Sequence, residues 1–361
     1  MKAAILLNVL ADRDAVGNDA LAMARLLRER GIDTRIYCDA AVGVDESTQP
    51  PERALEFAGG RDDLLIYHFS VGWTTGLDVL RKARGFRVVR YHNITPPEFF
   101  ADYSIDYENA CKSGRAEIPV VAKLGCELYL GDSAYNLDEL IAEGAPAERG
   151  AVLAPFHRVD HLLEAEADLG LVDELSDGAC NMLMVGRVAP NKGHVELVDA
   201  FAAYVDGWGD PARLLILGKS DPRLQGYSDR IRARIDAHRL GDRVWWLDSA
   251  SEAQLKAAYL ASHAFLTMSH HEGFCVPLIE AMALGTPVVA YGSSAIPGTV
   301  GDGGIVWNET DPWLYGAAIA RLRADAHLRN DLRDAARRRY GQTFATSVLR
   351  ERFFQLLEPV L

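Results

Sequence analysis

Two glutamates stand close together in residues 269–287, SHHEGFCVPLIEAMALGTP: Glu272 and Glu280. Gly273 permits a tight backbone path, and Pro277 suits a first helical turn, where a missing N–H costs nothing. The spacing therefore puts Glu272 on a loop and Glu280 inside the helix that follows. Carboxylates so placed can face one polyhydroxylated ligand, each accepting hydrogen bonds from hydroxyl pairs. The N–H groups of the helix start suit a phosphate or a sugar oxygen. An ordinary helix start, with acids favouring the macrodipole, accounts for a single Glu in the first turns. It does not account for EGF, P, EAM and GTPVVA in one register.

This segment resembles the C-domain signature of retaining glycosyltransferases of the GT-B fold, the family-four group with many bacterial polysaccharide mannosyl- and glucosyltransferases. The family's E-G-F-x-x-P-x-x-E-A-M and G-x-P-V-V are met by Glu272, Gly273, Phe274, Pro277, Glu280, Ala281, Met282, Gly285, Pro287, Val288 and Val289. Residues 184–201, MVGRVAPNKGHVELVDAF, resemble the family's G-R-x-x-x-x-K-G loop, which implies that Arg187 and Lys192 grip a donor diphosphate. The residue types agree, because two cations after a strand end and a turning Gly186 are charge-assisted donors suited to phosphate. Standing alone, the same loop reads as a solvated Arg and Lys at a helix start. In LLILGKSD (214–221), Gly218 falls near the expected ligand. IPGTVGDGG (296–304) departs from the family by carrying Gly298 where a Glu is usual.

The resemblance implies Glu272, His92, Arg187 and Lys192 as the catalytic set, with Gly17, Gly186, Gly218, Gly273, Phe274, Cys275 and Glu280 around the donor. Glu280 would hold ribose hydroxyls; Glu272 would bind donor-sugar hydroxyls and help bear positive charge on the ring. In the family a His after a strand like 88–91 bonds the donor sugar, and His92 in YHNITPP stands there. A core or capping histidine fits that position equally well. Gly17 opens a helix after the first strand, a close-approach point or simply a turn. His68, Ser70 and Trp73 stand at the end of another strand and read either as an acceptor pocket or as a wet loop with one buried aromatic. Asp12-Arg13-Asp14 has the form of a metal-binding Asp-x-Asp, a triplet frequent by chance. With Arg187 and Lys192 supplying positive charge, the expectation is no cofactor and no required metal.

What must position these groups is a pair of α/β units. Short apolar runs at 3–10, 34–38, 64–69, 88–91, 128–131 and 152–155 alternate with helical stretches such as 18–30. A second series opens at 181–185 and continues at 213–217, 243–247, 264–268, 287–290 and 304–307, with helices at 196–204, 229–238, 252–260 and 277–284. Such alternation predicts parallel sheets covered on both faces. The fold class is thus α/β, two tandem Rossmann-like doubly wound domains (GT-B architecture) with an interdomain cleft. The expected domains are 1–160, acceptor-binding, and 161–344, binding the nucleotide-sugar donor. The acidic region 160–178 is read as linker, and an apolar-patterned helix within 345–361 packs back on either domain.

A length of 361 residues exceeds what one core supports, and 49% apolar with 25% charged residues is an ordinary globular balance. A formal charge of -13 argues against a nucleic-acid partner. Basic stretches at 25–30, 81–90 and 337–339 read as solvated helix faces or as a peripheral contact with the inner face of a membrane. Five cysteines, spaced singly, suit a reducing cytoplasm and no structural zinc. The N-terminal apolar run is too short to span a bilayer and reads as a buried strand.

The resulting expectation is a metal-independent retaining hexosyltransferase, using GDP-mannose first and a UDP-hexose next, with a saccharide or lipid-linked saccharide acceptor. The rivals are a non-catalytic nucleotide-sugar-binding protein, an epimerase or phosphorylase on the same architecture, and a dinucleotide oxidoreductase. The last lacks a G-x-G-x-x-G after any strand.

Overall fold

A computed structural model describes residues 1–12 and 14–361. The chain divides into two compact units. Unit 1 comprises Met1–Glu98, Asp106–His157 and Thr346–Leu361; unit 2 comprises Phe99–Ile105 and Arg158–Ala345.

Unit 1 contains strands β1 (Lys2–Leu6), β2 (Val9–Ala11), β3 (Asp33–Tyr37), β4 (Ala40–Val42), β5 (Thr48–Gln49), β6 (Leu64–Phe69), β7 (Phe86–Tyr91), β8 (Leu128–Gly131) and β9 (Gly150–Val152). Seven of them form one parallel sheet in the order β5-β3-β1-β6-β7-β8-β9. Helices cover both faces, so the inner strands carry almost no polar alternation: every residue of β6 is buried. The apolar run at 3–10 is not one strand. It breaks after Leu6, and β2 pairs instead with β4 in a separate two-stranded ribbon. At the break, Asn8 donates its side-chain amide to Asp39 and accepts the Asp39 N–H on its carbonyl.

The helix Ala15–Glu29 starts on Asp14, whose carboxylate accepts the Gly17 N–H. It buries Ala20, Met23, Ala24 and Leu27 at helical spacing. Asp19 lies on the same face, fully buried, and its partners are described below. The helix Thr346–Leu357 belongs to unit 1 and buries Leu349, Phe353 and Leu357, four residues apart. Phe353 meets Phe156 edge-on with ring centroids 5.8 Å apart, and the Arg30 guanidinium lies 4.3 Å over Phe354.

Unit 2 contains β10 (Cys180–Val185), β11 (Ala212–Leu217), β12 (Val244–Leu247), β13 (Ala264–Thr267), β14 (Val288–Tyr291) and β15 (Gly304–Trp307). They form a second parallel sheet in the order β12-β11-β10-β13-β14-β15. This is the doubly wound order, with the winding direction reversing between β10 and β13. The acidic region read as linker is partly helical, at Val159–Glu164 and Leu169–Leu175. One of its acids, Asp168, caps the second helix by accepting the Leu171 N–H, which the composition alone hid.

The docking of the last helix yields a stability prediction. Phe353→Ala removes a fully buried ring and its edge-on partner. The expected loss is about 3–5 kcal/mol, read by denaturant unfolding. A loss within the few tenths typical of surface changes would show that the helix is not docked as described.

Candidate functional site

In a doubly wound sheet, ligands bind outside the carboxyl ends of the strands at the reversal point. In unit 2 that point lies between the loops after β10 and β13, which carry Arg187 with Lys192 and Glu272 respectively. Backbone packs on backbone here. A Cβ on Gly193 (φ +64°) would sit 2.0 Å from the Met268 carbonyl oxygen, and one on Gly218 would sit 1.8 Å from that of Gly186. Gly218 is thus required for the approach of the loops after β10 and β11, whereas Gly186, with room for a Cβ, is set apart by its φ of +149°.

The structure brings Lys192 and Glu272 together. The Lys192 ammonium lies 2.7 Å from each Glu272 oxygen. Glu272 is 6% exposed, so the pair is largely shielded from water. Asn191 stitches the two loops: its carbonyl accepts the His270 and His271 N–H groups, and its side-chain amide donates to the His271 carbonyl. From the other side the Ser294 hydroxyl accepts the Glu272 N–H at 2.7 Å. Neither Asn191 nor Ser294 was singled out in the sequence, because nothing local announces a partner about eighty or twenty residues away.

The helix Val276–Leu284 begins on Cys275, a non-glycine residue at φ +75° that supplies no side-chain cap. Ser294 is likewise at φ +45°. Such conformations cost about 1–3 kcal/mol and persist where the surroundings over-determine them. Burial and the neighbouring Glu272 carboxylate push the Cys275 thiol well above its usual range. Glu280 is inside this helix, as expected, and accepts the Tyr259 hydroxyl at 2.7 Å. Burial raises the Glu280 carboxyl above the usual carboxylate range, and the Tyr259 hydrogen bond partly opposes that. Phe274 is a core residue, edge-on to Phe344 at 5.5 Å; Gly273 is half-buried and Arg187 is exposed. Gly298, at the departure from the family pattern, has open space where a Cβ would go. Trp245 and Trp246 line a cavity of about 400 Å³ with Leu171, Leu175 and Leu215, each ring facing a guanidinium, Arg213 or Arg232.

In unit 1, His68 on β6 and His92 after β7 form a pair, His68 Nδ1 lying 2.8 Å from His92 Nε2. The other nitrogen of His92 is 3.0 Å from Asp132 Oδ2. Beneath them Arg90, fully buried, donates Nε to Asp19 at 2.8 Å and Nη1 to the Leu153 carbonyl, with Nη2 2.9 Å from Asp132. The free oxygen of Asp19 accepts the Phe156 N–H. Asn93, next to His92, is at φ +70°. Asp19, Arg90 and Asp132 were missed. The signal for two of them was a charged residue inside an apolar pattern, Asp19 in ALAMA-type helix and Arg90 in the central-strand run VVRYH. Trp73 is packed in the unit 1 core, stacked on Tyr67 with its indole N–H bonded to Asp39, while Ser70 is half-buried. A Cβ on Gly17 would lie 2.6 Å from the Ala11 carbonyl oxygen, a packing reason for that glycine. Of the Asp12-Arg13-Asp14 triplet, Asp14 serves as helix cap and Arg13 lies outside the described residues.

Residues 174–339 match the family described as Glycosyl transferases group 1. The serotype-specific mannosyltransferase WbdA of Escherichia coli is 32% identical over 256 residues, 63% of this chain and 29% of that protein. A D-inositol 3-phosphate glycosyltransferase of Streptomyces bingchenggensis is 32% identical over 240 residues, 61% of this chain and 51% of that protein. The chain therefore spans between about a third and a half of these relatives' length. Among solved structures, Anabaena HepE in complex with UDP-glucose superposes with a TM-score of 0.76 at 17% identity, covering 99% of this chain and 100% of that one. Sucrose-phosphate synthase of Thermosynechococcus elongatus superposes with a TM-score of 0.75 at 18% identity, covering 100% and 99%. The fold is GT-B. No helix among the described residues is long and apolar enough to cross a membrane.

The shielded ion pair carries its own prediction. Lys192→Met leaves the Glu272 carboxylate without its cation, a change that costs about 3–5 kcal/mol at a buried pair. Adding Glu272→Gln removes the uncompensated charge, so the double variant is expected to be more stable than the single one. Denaturant unfolding of the three proteins reads this; additive losses would mean that the two side chains do not compensate each other.

Proposed function

We propose that this chain, a GT-B-fold member of the group 1 glycosyltransferases by its second unit, moves a hexose from a nucleotide diphosphate sugar to a saccharide or lipid-linked saccharide hydroxyl. The observation that carries this reading is the Lys192–Glu272 pair at the reversal point of unit 2, beside the helix that holds Glu280. A cation there meets a diphosphate, and carboxylates there meet sugar and ribose hydroxyls. Donor entry recruits Lys192 to phosphate and frees Glu272 for hydroxyls, so the two groups exchange partners without leaving a buried charge unpaired. Arg187, exposed on the same loop, adds a second cation.

During transfer the bond between the anomeric carbon and phosphate breaks, and negative charge builds on the departing diphosphate. Fixed donors aimed at that charge stabilise the transition state. Two side-chain cations supply what a metal does in other transferases, which supports metal-independent chemistry with no cofactor. Retention of anomeric configuration, by front-face attack with the phosphate accepting the proton, follows from the family resemblance. GDP-mannose is the first donor to test, since WbdA is named a mannosyltransferase; UDP-glucose, bound in HepE, is the second. A cytoplasmic setting, peripheral to the inner face of a membrane, goes with a lipid-linked acceptor.

Thermal unfolding with UDP, GDP, ADP and dTDP tests the donor half. A nucleotide at a hundred times its dissociation constant adds about 2.7 kcal/mol to stability. One nucleotide is expected to stabilise the wild type and not Glu280→Ala, with the effect intact after chelation of divalent ions. No response to any nucleotide, with or without a metal, ends the nucleotide-sugar reading. The raised Glu280 carboxyl sets a pH signature. Ribose hydroxyls bond the carboxylate, so affinity should weaken as pH falls, starting above the range where an ordinary Glu protonates. Glu280→Gln should bind weakly at every pH; an unchanged slope in that variant would exclude Glu280 as its source.

A further inference from the structure

We propose that Tyr259 is a positioning residue for the donor site of unit 2: its hydroxyl holds one oxygen of Glu280 so that the carboxylate meets the two neighbouring hydroxyls of a ribonucleotide. The inference deepens the glycosyltransferase reading and rests on it for the ligand. Every group it uses lies within unit 2. Tyr259 is on the helix Glu252–Ala261 and Glu280 on the helix Val276–Leu284.

The tyrosine is fully buried and held at three points. Its ring stacks on Phe265 of β13, with centroids 6.0 Å apart. Its backbone carbonyl accepts the Thr286 hydroxyl at 2.8 Å, just past the end of the Glu280 helix. Its own hydroxyl reaches that helix directly, 2.7 Å from Glu280 Oε2 and 3.3 Å from the Pro277 carbonyl oxygen. A phenol has one proton to donate. Of the two acceptors the carboxylate is the nearer and, when ionised, the stronger.

Glu280 is only half-buried, and the Tyr259 hydroxyl is the one hydrogen-bond partner of its side chain among the described residues. A carboxylate has room for about four hydrogen bonds, so Oε1 and part of Oε2 remain open. Two vicinal hydroxyls are the ligand chemistry that fills such an edge, each donating one hydrogen. No cation is set against this carboxyl to take it up instead. Lys192 is paired with Glu272, and Cys275, at the start of the same helix, faces that pair and Tyr259.

The hydroxyl also favours the accepting form of the carboxyl. Burial pushes Glu280 up, and the Tyr259 hydrogen bond opposes that. Burial and the Glu280 charge push the Tyr259 phenol up, so beside an ionised Glu280 the shared proton stays on the tyrosine. A protonated Glu280 offers a donor where a diol needs acceptors.

Tyr259→Phe removes one oxygen and leaves the stacked ring and the Thr286 bond in place, and two measurements on the full chain use it. In carboxyl ¹³C spectra the Glu280 titration midpoint should be higher in Tyr259→Phe than in the wild type. In the wild type the Tyr259 Cζ signal should move with that same midpoint. Binding of UDP, GDP, ADP and dTDP is then compared. The nucleotide that binds the wild type should bind Tyr259→Phe about tenfold more weakly at pH 7. The deficit should shrink toward pH 9, as the carboxyl ionises in both proteins, and in a Glu280→Gln background the substitution should cost nothing further. A loss equal at both pH values, the same loss on top of Glu280→Gln, or an unmoved Glu280 midpoint would overturn the proposal, leaving a tyrosine that only fills space. If Tyr259→Phe fails to fold, the paired wild-type titrations decide. A wild type that binds no nucleotide while the two groups still titrate together ends the transferase reading and this use of the pair. Binding with titrations that run independently ends the positioning role alone.

Discussion

A carboxylate held away from water must have a cation or several donors within reach, and much of this molecule follows from meeting that demand twice. In unit 2 the carboxylate is Glu272, and its cation arrives from a loop eighty residues earlier. The two loops can meet only if their backbones touch. That is why Gly193 sits where any Cβ would strike the Met268 carbonyl, and why Asn191 and Ser294 take up the loop amides. The strained backbone at Cys275 and Ser294 falls in the same place because these bonds over-determine it.

Unit 1 meets the demand with Arg90, fully buried and clamped between Asp19 and Asp132. Removing Arg90 would leave two buried carboxylates without their cation, so the cluster ties β7, the loop after β8 and a helix together through one guanidinium. It also fixes the two histidines, since His92 takes its orientation from Asp132 and His68 takes its from His92. The contrast with unit 2 is instructive. There the paired charges sit on loops. Here Arg90 sits on a central strand and Asp19 on a helix face, with Asp132 just after β8.

The difference decided what was legible in the sequence. The parallel strands of both sheets read as apolar runs because covered sheets need no polar alternation, and ten of the runs coincide with observed strands to within two residues at either end, β6, β8 and β15 residue for residue. The exceptions have local causes. The Asn8–Asp39 bonds accompany the early end of β1, β9 ends at the first residue of the run that suggested it, and one acid in 160–178, Asp168, is a helix cap. In unit 2 the residues singled out as candidates, Glu272, Glu280, Arg187 and Lys192, stand in short motifs that a single window contains. Phe274 stood in the same motif yet serves the core, which spacing alone cannot distinguish. In unit 1 the partners lie 24 to 71 residues apart along the chain, and no short window contains them.

One rule would have found them. A charged residue that interrupts an apolar pattern on a covered element has to be paired, and its partner must be another such interruption. Asp19 breaks the inner face of the helix Ala15–Glu29, and Arg90 breaks the β7 run. His68 interrupts β6, all of whose residues are buried. Three interruptions of complementary chemistry on elements that parallel winding must place side by side amount to a predicted contact set. Trp73 shows where the rule stops. Its indole N–H finds Asp39, an exposed acid in a bend after β3, and no broken pattern marks either of them. Motifs thus mark the groups proposed to meet a ligand, and interruptions mark the groups that meet each other.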